Sequence, residues 1–239
     1  LLTMKAQLEA GRVMAYDIAK HVDLMRHHPD AQVREDAADF VEIVTPLVKA
    51  YLTDTSVELA STAIQIYGGH GFIEEHGVAQ IYRDAKITCL YEGTNGVQSM
   101  DLVRRKLVLH DGRFATKLLN TIQTFIDGHQ GEDLAFITKP LNVALAELKT
   151  ATAWMQKFWQ EDPDAVGSGA VEYLRAFSLV MLGYNWARMV KAADAMPQDE
   201  FTRQKVTTAK FFVVKFMPQI SPLLTMSMAG SEVVMGARV

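Results

Sequence analysis

Met4, Leu8, Gly11, Ala15, Ile18, Val22 and Met25 follow one another at intervals of 4, 3, 4, 3, 4 and 3 residues. An α-helix returns to the same face every ~3.6 residues, so this spacing reads as one helix of about seven turns with a single apolar stripe. Lys5, Glu9, Arg12, Lys20 and Asp23 fall off the stripe. Such a helix can only be stable against partner helices, which commits the chain to helical packing from its first residues. His27-His28-Pro29-Asp30 ends it, because proline disfavours helical geometry in the residue before it.

The same period continues. A second helix is expected over 31–44. Thr45-Pro46 reads as an N-cap followed by proline at the first helical position, so a third helix is expected to restart there. It carries Val48, Leu52, Leu59, Ala63 and Ile66 and stops at Gly68-Gly69. The pattern then changes. Gly68, Gly69, Gly71, Gly77, Gly93 and Gly96 all fall between 68 and 96, where only a short helical piece around 75–82 is expected. Irregular chain between long helices is where function tends to sit. Helix resumes from 95 to about 109 and is broken by Asp111-Gly112.

Further helices are expected at 113–127, 132–160, 166–194, 198–217 and, more weakly, 219–229. Val171, Leu174, Phe177, Met181 and Tyr184 share one face, with other apolar residues around them, so the 171–190 segment reads as a central buried helix. No strand pattern and no internal repeat is visible. The fold class is therefore all-α. An antiparallel four-helix bundle over 1–110 is followed by an appended helical domain over 111–239.

Composition narrows function more than fold. The net charge is −4, and the one basic run, Arg104-Arg105-Lys106, reads as a solvated helix face. Nucleic acid is not an expected partner. The apolar fraction is 49%, yet no run of about 18 apolar residues occurs, so no membrane span is expected. Cys89 is the sole cysteine, which rules out an internal disulfide and fits a reducing, cytoplasmic setting. "LLTMKAQLEA" has neither a basic leader nor a cleavage site and already reads as helix without a starting Met. A piece of a longer protein is the expectation.

Most chemistries lack their residues. No Glu-x-x-His pair exists for a di-iron bundle site, and His70 and His76 have no cysteine partners, so no metal is expected. Cys89 lies in the apolar run "AKITCLYEG" and reads as a small buried hydrophobe. Gly-x-Ser-x-Gly and phosphate-binding Walker loops are missing. What remains is a set of three stretches: "AIQIYGGHGF" (63–72), "YRDAKI" (82–87) and "YEGTNGVQ" (91–98). Singly, each has a plain reading: a helix C-cap at Gly68-Gly69, a local Arg83–Asp84 ion pair, a solvated Glu92.

Together, in this order and spacing, they resemble the C-terminal helical domain of the acyl-CoA dehydrogenases. The likeness runs from about Met4 to Leu107 and includes "MKAQLEAGRVMAYDIA" as the first bundle helix. Residues from about 113 onward resemble, by helical pattern and position, the additional C-terminal domain of long bacterial members.

The resemblance implies an FAD enzyme that removes the α-proton and the β-hydride of an acyl-CoA thioester. Glu92 is implied as the α-proton base, a role in which desolvation strengthens a carboxylate. Gly93 would let substrate approach the backbone. Thr94, Asn95 and Gly96 align with positions that contact FAD, and Thr94 can also cap the helix that follows. Several members carry Gln or Glu where this chain has Gly96, so a side-chain contact is lost there. Gln65, Ile66, Tyr67, Gly68 and Gly69 align with a segment that touches the FAD of a neighbouring subunit, which implies at least a homodimer, or a homotetramer. Arg83-Asp84 is implied as scaffolding for the Glu92 loop. Electron-transfer flavoprotein is the implied electron acceptor.

Three other readings stand beside this one. The first is a flavin-binding homologue of the stress or DNA-damage type, against which the net charge of −4 argues. An acyl-CoA oxidase differs only in how O₂ reaches reduced flavin. A non-catalytic helical interaction module predicts a long exposed apolar surface and no flavin chemistry.

Overall fold

A computed structural model describes residues 1–237 and is helical throughout, with no strand among the described residues. Helix α1 (Leu2–His27) and helix α2 (Ala31–Tyr67) open the chain. Asp30 caps α2, its carboxylate accepting from the Gln32 N–H at 2.8 Å. Gln7 meets Tyr51 and Thr55, while His21 stacks on Phe40, so α1 and α2 run antiparallel. A single turn α3 (Gly69–Phe72), a 3₁₀ turn (Glu74–His76) and α4 (Val78–Ile87) then fold back along α2. Helix α5 (Asn95–Asp101) passes into a π-helical turn at Leu102–Lys106. His110 and Asp111 take left-handed backbone, with φ of 52° and 54°, and end this run at the expected break.

Helices α6 (Arg113–Asp127) and α7 (Glu132–Glu161) form the next antiparallel pair, with Gln123 reaching Asn142 and Lys149. Short α8 (Pro163–Ser168) leads into α9 (Ala170–Asp194). The chain closes with α10 (Glu200–Lys215), α11 (Ile220–Ser227) and short α12 (Glu232–Gly236). As expected from its all-round apolar character, α9 is central: it packs on α1, α2, α5, α7, α10 and α11. Trp186, Tyr173 and Phe177 lie on it, fully buried. Trp186 Nε1 donates to the Ala6 carbonyl at 3.1 Å, and Arg188 pairs with Asp17. Residues before and after 110 thus share one continuous apolar core, from Ala6 to Leu224.

Four local expectations change. First, α1 buries Ala6, Gln7, Ala10, Gly11 and Met14, and Leu8 of the expected stripe is 48% exposed. Close packing decides the phase. A methyl group on Gly11 would lie 2.8 Å from Leu52 Cδ2, so the α1 face toward α2 must be small rather than large.

Second, α2 runs through Pro46 without restarting. Proline leaves the Glu42 carbonyl without its helical donor. Ile43, Val44, Pro46 and Leu47 are all buried, and that packing outweighs the lost bond. The Thr45 hydroxyl is not a cap but donates back to the Val41 carbonyl at 2.6 Å. Third, the helix expected over 166–194 breaks at Gly169, where the Ser227 backbone presses into the space a side chain would need. The short helix expected at 75–82 lies at Val78–Ile87 instead, after Gly77 in left-handed backbone.

Candidate active site

The stretch between α4 and α5 is a tight loop fastened at both ends. Cys89 is buried, and its carbonyl accepts from the Asn95 N–H at 3.2 Å. Between these points the chain must reverse in five residues. It does so with Glu92 at φ 54° and Gly93 at φ 79°, two successive left-handed residues. Glycine adopts this conformation freely, whereas for glutamate it costs about 1–2 kcal/mol. Strain of this kind persists only where the surroundings impose it, and it clusters at functional positions. The Glu92 carbonyl accepts from Gln98 Nε2 at 3.1 Å, which braces the apex. Its carboxylate is exposed and forms no hydrogen bond among the described residues.

Thr94 caps α5 as expected, its hydroxyl accepting from the Val97 N–H at 3.3 Å. Asn95 turns inward onto α2, toward Lys49, Ala50, Thr53 and Asp54. Gly96 is exposed, and a methyl group there would meet only the Thr94 hydroxyl at 3.9 Å, an ordinary contact, so no steric reason forces glycine there. At the end of α2, Gly68 has φ 61°, and Gln65, Ile66, Tyr67, Gly68 and Gly69 are all exposed. Eleven residues of α2 separate Gln65 from Asp54, the last contact of Asn95, which is roughly 16 Å of helix. Within one chain the two expected cofactor-contacting stretches therefore lie at different levels along α2.

The Arg83–Asp84 pair does not form. Arg83 reaches Glu74 at 2.7 Å, and Asp84 accepts from Gln80 at 2.6 Å, one turn away on α4. Both side chains are exposed, and their hydrogen bonds go to Glu74 and Gln80 rather than to the Glu92 loop. On an amphipathic helix, partners one turn away or on the facing turn win over the sequence neighbour, which points elsewhere. The loop is braced instead by Gln98 and Asn95, and residues 40 or more apart in sequence give no local signal of that contact.

Neither of two grooves among the described residues is lined by the loop. A groove of about 730 Å³ lies between α1, α2, α6 and α9, near Asp17, His21, Phe40 and Tyr184, and a smaller one of about 320 Å³ lies at His129. Tyr67, Phe72, Ile81 and Ile87, ahead of the loop, and Leu90 and Tyr91 within it are each exposed large apolar side chains. Among the described residues no helix is long and apolar enough to cross a membrane. No cluster of three or more His, Cys, Asp or Glu side chains forms among them either.

Comparison with known proteins places the whole chain. The family "Acyl-CoA dehydrogenase, C-terminal domain" matches residues 1–107, and "Acetyl-CoA dehydrogenase C-terminal like" matches residues 118–238. A 3-methylmercaptopropionyl-CoA dehydrogenase of Ruegeria pomeroyi is 35% identical over 92% of this chain and 38% of its own length. The chain thus spans a little over a third of that relative. Among solved structures, Caenorhabditis elegans ACDH-11 in complex with C11-CoA aligns with a TM-score of 0.76 at 19% identity, covering 98% of this chain and 38% of that one. An acyl-CoA dehydrogenase from Bacillus anthracis complexed with FAD aligns with a TM-score of 0.74 at 18% identity, over 95% and 40% of the two chains. At these identities the structural likeness speaks to the fold alone.

Proposed function

The chain belongs to the acyl-CoA dehydrogenase family, and on that premise we propose that it is the C-terminal part of an FAD-dependent enzyme that introduces the α,β double bond of an acyl-CoA thioester. The observation that carries this reading is the backbone of Glu92. An exposed glutamate sits at φ 54° where glycine would be stabler, at the apex of a braced loop beside apolar surface. Segments 1–110 and 111–239 are read as its two C-terminal units, packed into one body.

In this reading Glu92 is the base. Its carboxylate takes the proton from the substrate α-carbon. Gly93, with no side chain, lets the thioester lie against the backbone. FAD, when bound, would accept the β-hydride at its N5, so the substrate loses one proton and one hydride and gains the double bond. The chain's residues fit a share of that cofactor rather than its whole site. Gln65, Ile66, Tyr67, Gly68 and Gly69 are exposed, with open space over both glycines, so a second subunit's flavin can lie on them. Thr94 and Gly96 would face the chain's own flavin, with Asn95 between them. The exposed surface around Phe72, Ile81 and Leu90 is where the rest of the enzyme would exclude water and strengthen Glu92 as a base. A homo-oligomer, dimer or tetramer, is part of this reading, with the two stretches touching the flavins of different subunits. Electron-transfer flavoprotein is the proposed acceptor, and a cytoplasmic setting fits the one buried thiol, Cys89.

The test is anaerobic mixing of the full-length, flavin-loaded protein with straight-chain acyl-CoAs from butyryl to palmitoyl. Flavin bleaching that vanishes in Glu92→Gln supports the proposal. Bleaching that survives in the variant removes Glu92 as the base.

A further inference from the structure

The least expected feature of the loop is how completely Asn95 is used. Its N–H donates to the Cys89 carbonyl, and its own carbonyl accepts from the Ser99 hydroxyl at 3.0 Å. Its side-chain oxygen accepts from Lys49 Nζ at 2.7 Å and faces the Thr53 hydroxyl at 3.2 Å. Its side-chain nitrogen reaches the Ala50 carbonyl at 3.2 Å, Thr53 Oγ1 at 2.9 Å and Asp54 Oδ1 at 2.7 Å. The amide orientation follows from chemistry. Lysine can only donate, and a carboxylate or a carbonyl can only accept, so oxygen must face Lys49 and nitrogen must face Asp54. Lys49 is half-buried, and its ammonium forms no ion pair among the described residues. It is spent on this one amide, and a charge-assisted bond is about twice as strong as a neutral one.

We propose that Lys49, Thr53 and Asn95 form a clamp that positions Glu92, so that Asn95 acts through α2 and the loop rather than by a side-chain contact with flavin. This rests on the reading of Glu92 as the base. The loop from Cys89 to Asn95 has five residues between its anchors and Glu92 at the midpoint, so movement at Asn95 passes to Glu92 with little slack. Proton abstraction from carbon needs the base within contact of the α-carbon, and a shift of about 1 Å costs on the order of tenfold to a hundredfold in rate. Lys49, Thr53 and Asn95 are thus positioning residues.

The experiment uses the full-length, flavin-loaded protein and the straight-chain acyl-CoA that bleaches it fastest, with its α,α-dideuterated form. Lys49→Met combined with Thr53→Val removes two partners of Asn95 and leaves the loop sequence intact. The expected result is a fall in kcat of about tenfold, a KM within about twofold, and a larger α-deuterium isotope effect. Lys49→Arg, which keeps a donor, should restore most of the rate. Backbone exchange at Asn95, whose N–H is held by the Cys89 carbonyl, should accelerate in the double variant. An unchanged isotope effect overturns the clamp even if kcat falls, because loss of correctly folded protein lowers kcat without making proton removal slower. Unchanged exchange at Asn95 also overturns it. Glu92→Gln runs alongside. If that variant keeps its turnover, the base reading fails, and the clamp stands or falls on the exchange measurement alone.

Discussion

Replacing Glu92 by glycine should make the protein more stable, and the size of the gain follows from the loop. At φ 54° the Glu92 Cβ is held against its own backbone, a cost of about 1–2 kcal/mol for an L-residue. Its carboxylate forms no hydrogen bond among the described residues, so nothing is lost with it. Glycine removes the strain but loosens the unfolded chain, which returns about 0.4–1 kcal/mol. The balance is a gain of about 0.5–1 kcal/mol. Alanine keeps the Cβ and keeps the strain, so it is the right reference. At an ordinary position glycine is less stable than alanine by about 0.5–1 kcal/mol, and here the order should reverse. For a chain of 239 residues such a change moves Tm by only about 2 °C, so urea denaturation is the better assay. The midpoints should rank Glu92→Gly above Glu92→Ala at equal slope. If alanine proves the more stable of the two, the left-handed strain is absent, and with it the argument that this backbone is held for function. Neither variant should retain acyl-CoA-dependent bleaching, so stability and activity move in opposite directions at one residue.

Other consequences are simpler. Gly169→Ala forces a methyl group into the Ser227 backbone, which cannot swing aside, and should destabilise by about 2–3 kcal/mol in the same assay. Burial pushes the Glu9 carboxyl up, but Lys5 at 2.6 Å and Lys205 at 2.9 Å outweigh it and hold the group below its ordinary 4.5. A depressed folded value means stability that is complete above 4.5 and is lost below it, as pH falls through the lower folded value. Glu9→Gln should therefore flatten the acid limb of a stability–pH profile, and an unchanged limb would discount the pairing. Residues 1–110 expressed alone should show no cooperative melt by circular dichroism, because they leave the α1 and α2 faces that pack on α9 uncovered.

What the sequence made legible was governed by local rules. Helix period, the Asp111-Gly112 break and the Thr94 cap each depend on residues within one or two turns, and each lies where the spacing puts it. The phase of α1 was not legible, because the choice between Leu8 and Ala10 as the buried residue depends on how near α2 comes. Pro46 reads as a helix start by local propensity, but burial on both sides keeps α2 continuous. The three motif stretches located the Glu92 loop. They could not supply its left-handed turn, which is a property of the closed ring between Cys89 and Asn95. Nor could they supply Lys49, an unremarkable lysine until Asn95 is seen against it.

The position of Glu92 also depends on residues far beyond the motifs. The loop itself is exposed, and its one polar attachment to a long helix is the amide of Asn95 on α2. Whatever holds α2 therefore holds Glu92, the proposed base. Its first half is tied by Asp39, a buried carboxylate gripped by Arg113 and Lys117 of α6 at 2.7 and 2.6 Å. Its second half is tied by Arg175 of α9, which reaches Glu58 at 2.9 Å, one turn beyond the Asn95 attachment. Helix α5 packs on α9 directly, and Met100 lies against Gly167 just before α9 begins. A rigid support on both sides of the loop is what a base acting on a weakly acidic C–H bond needs, since such a bond tolerates little error in approach. The segment after residue 110 supplies much of that support, and in the proposed chemistry its contribution would be mechanical: it carries no member of the loop, yet it pairs with the helix to which the loop is fastened.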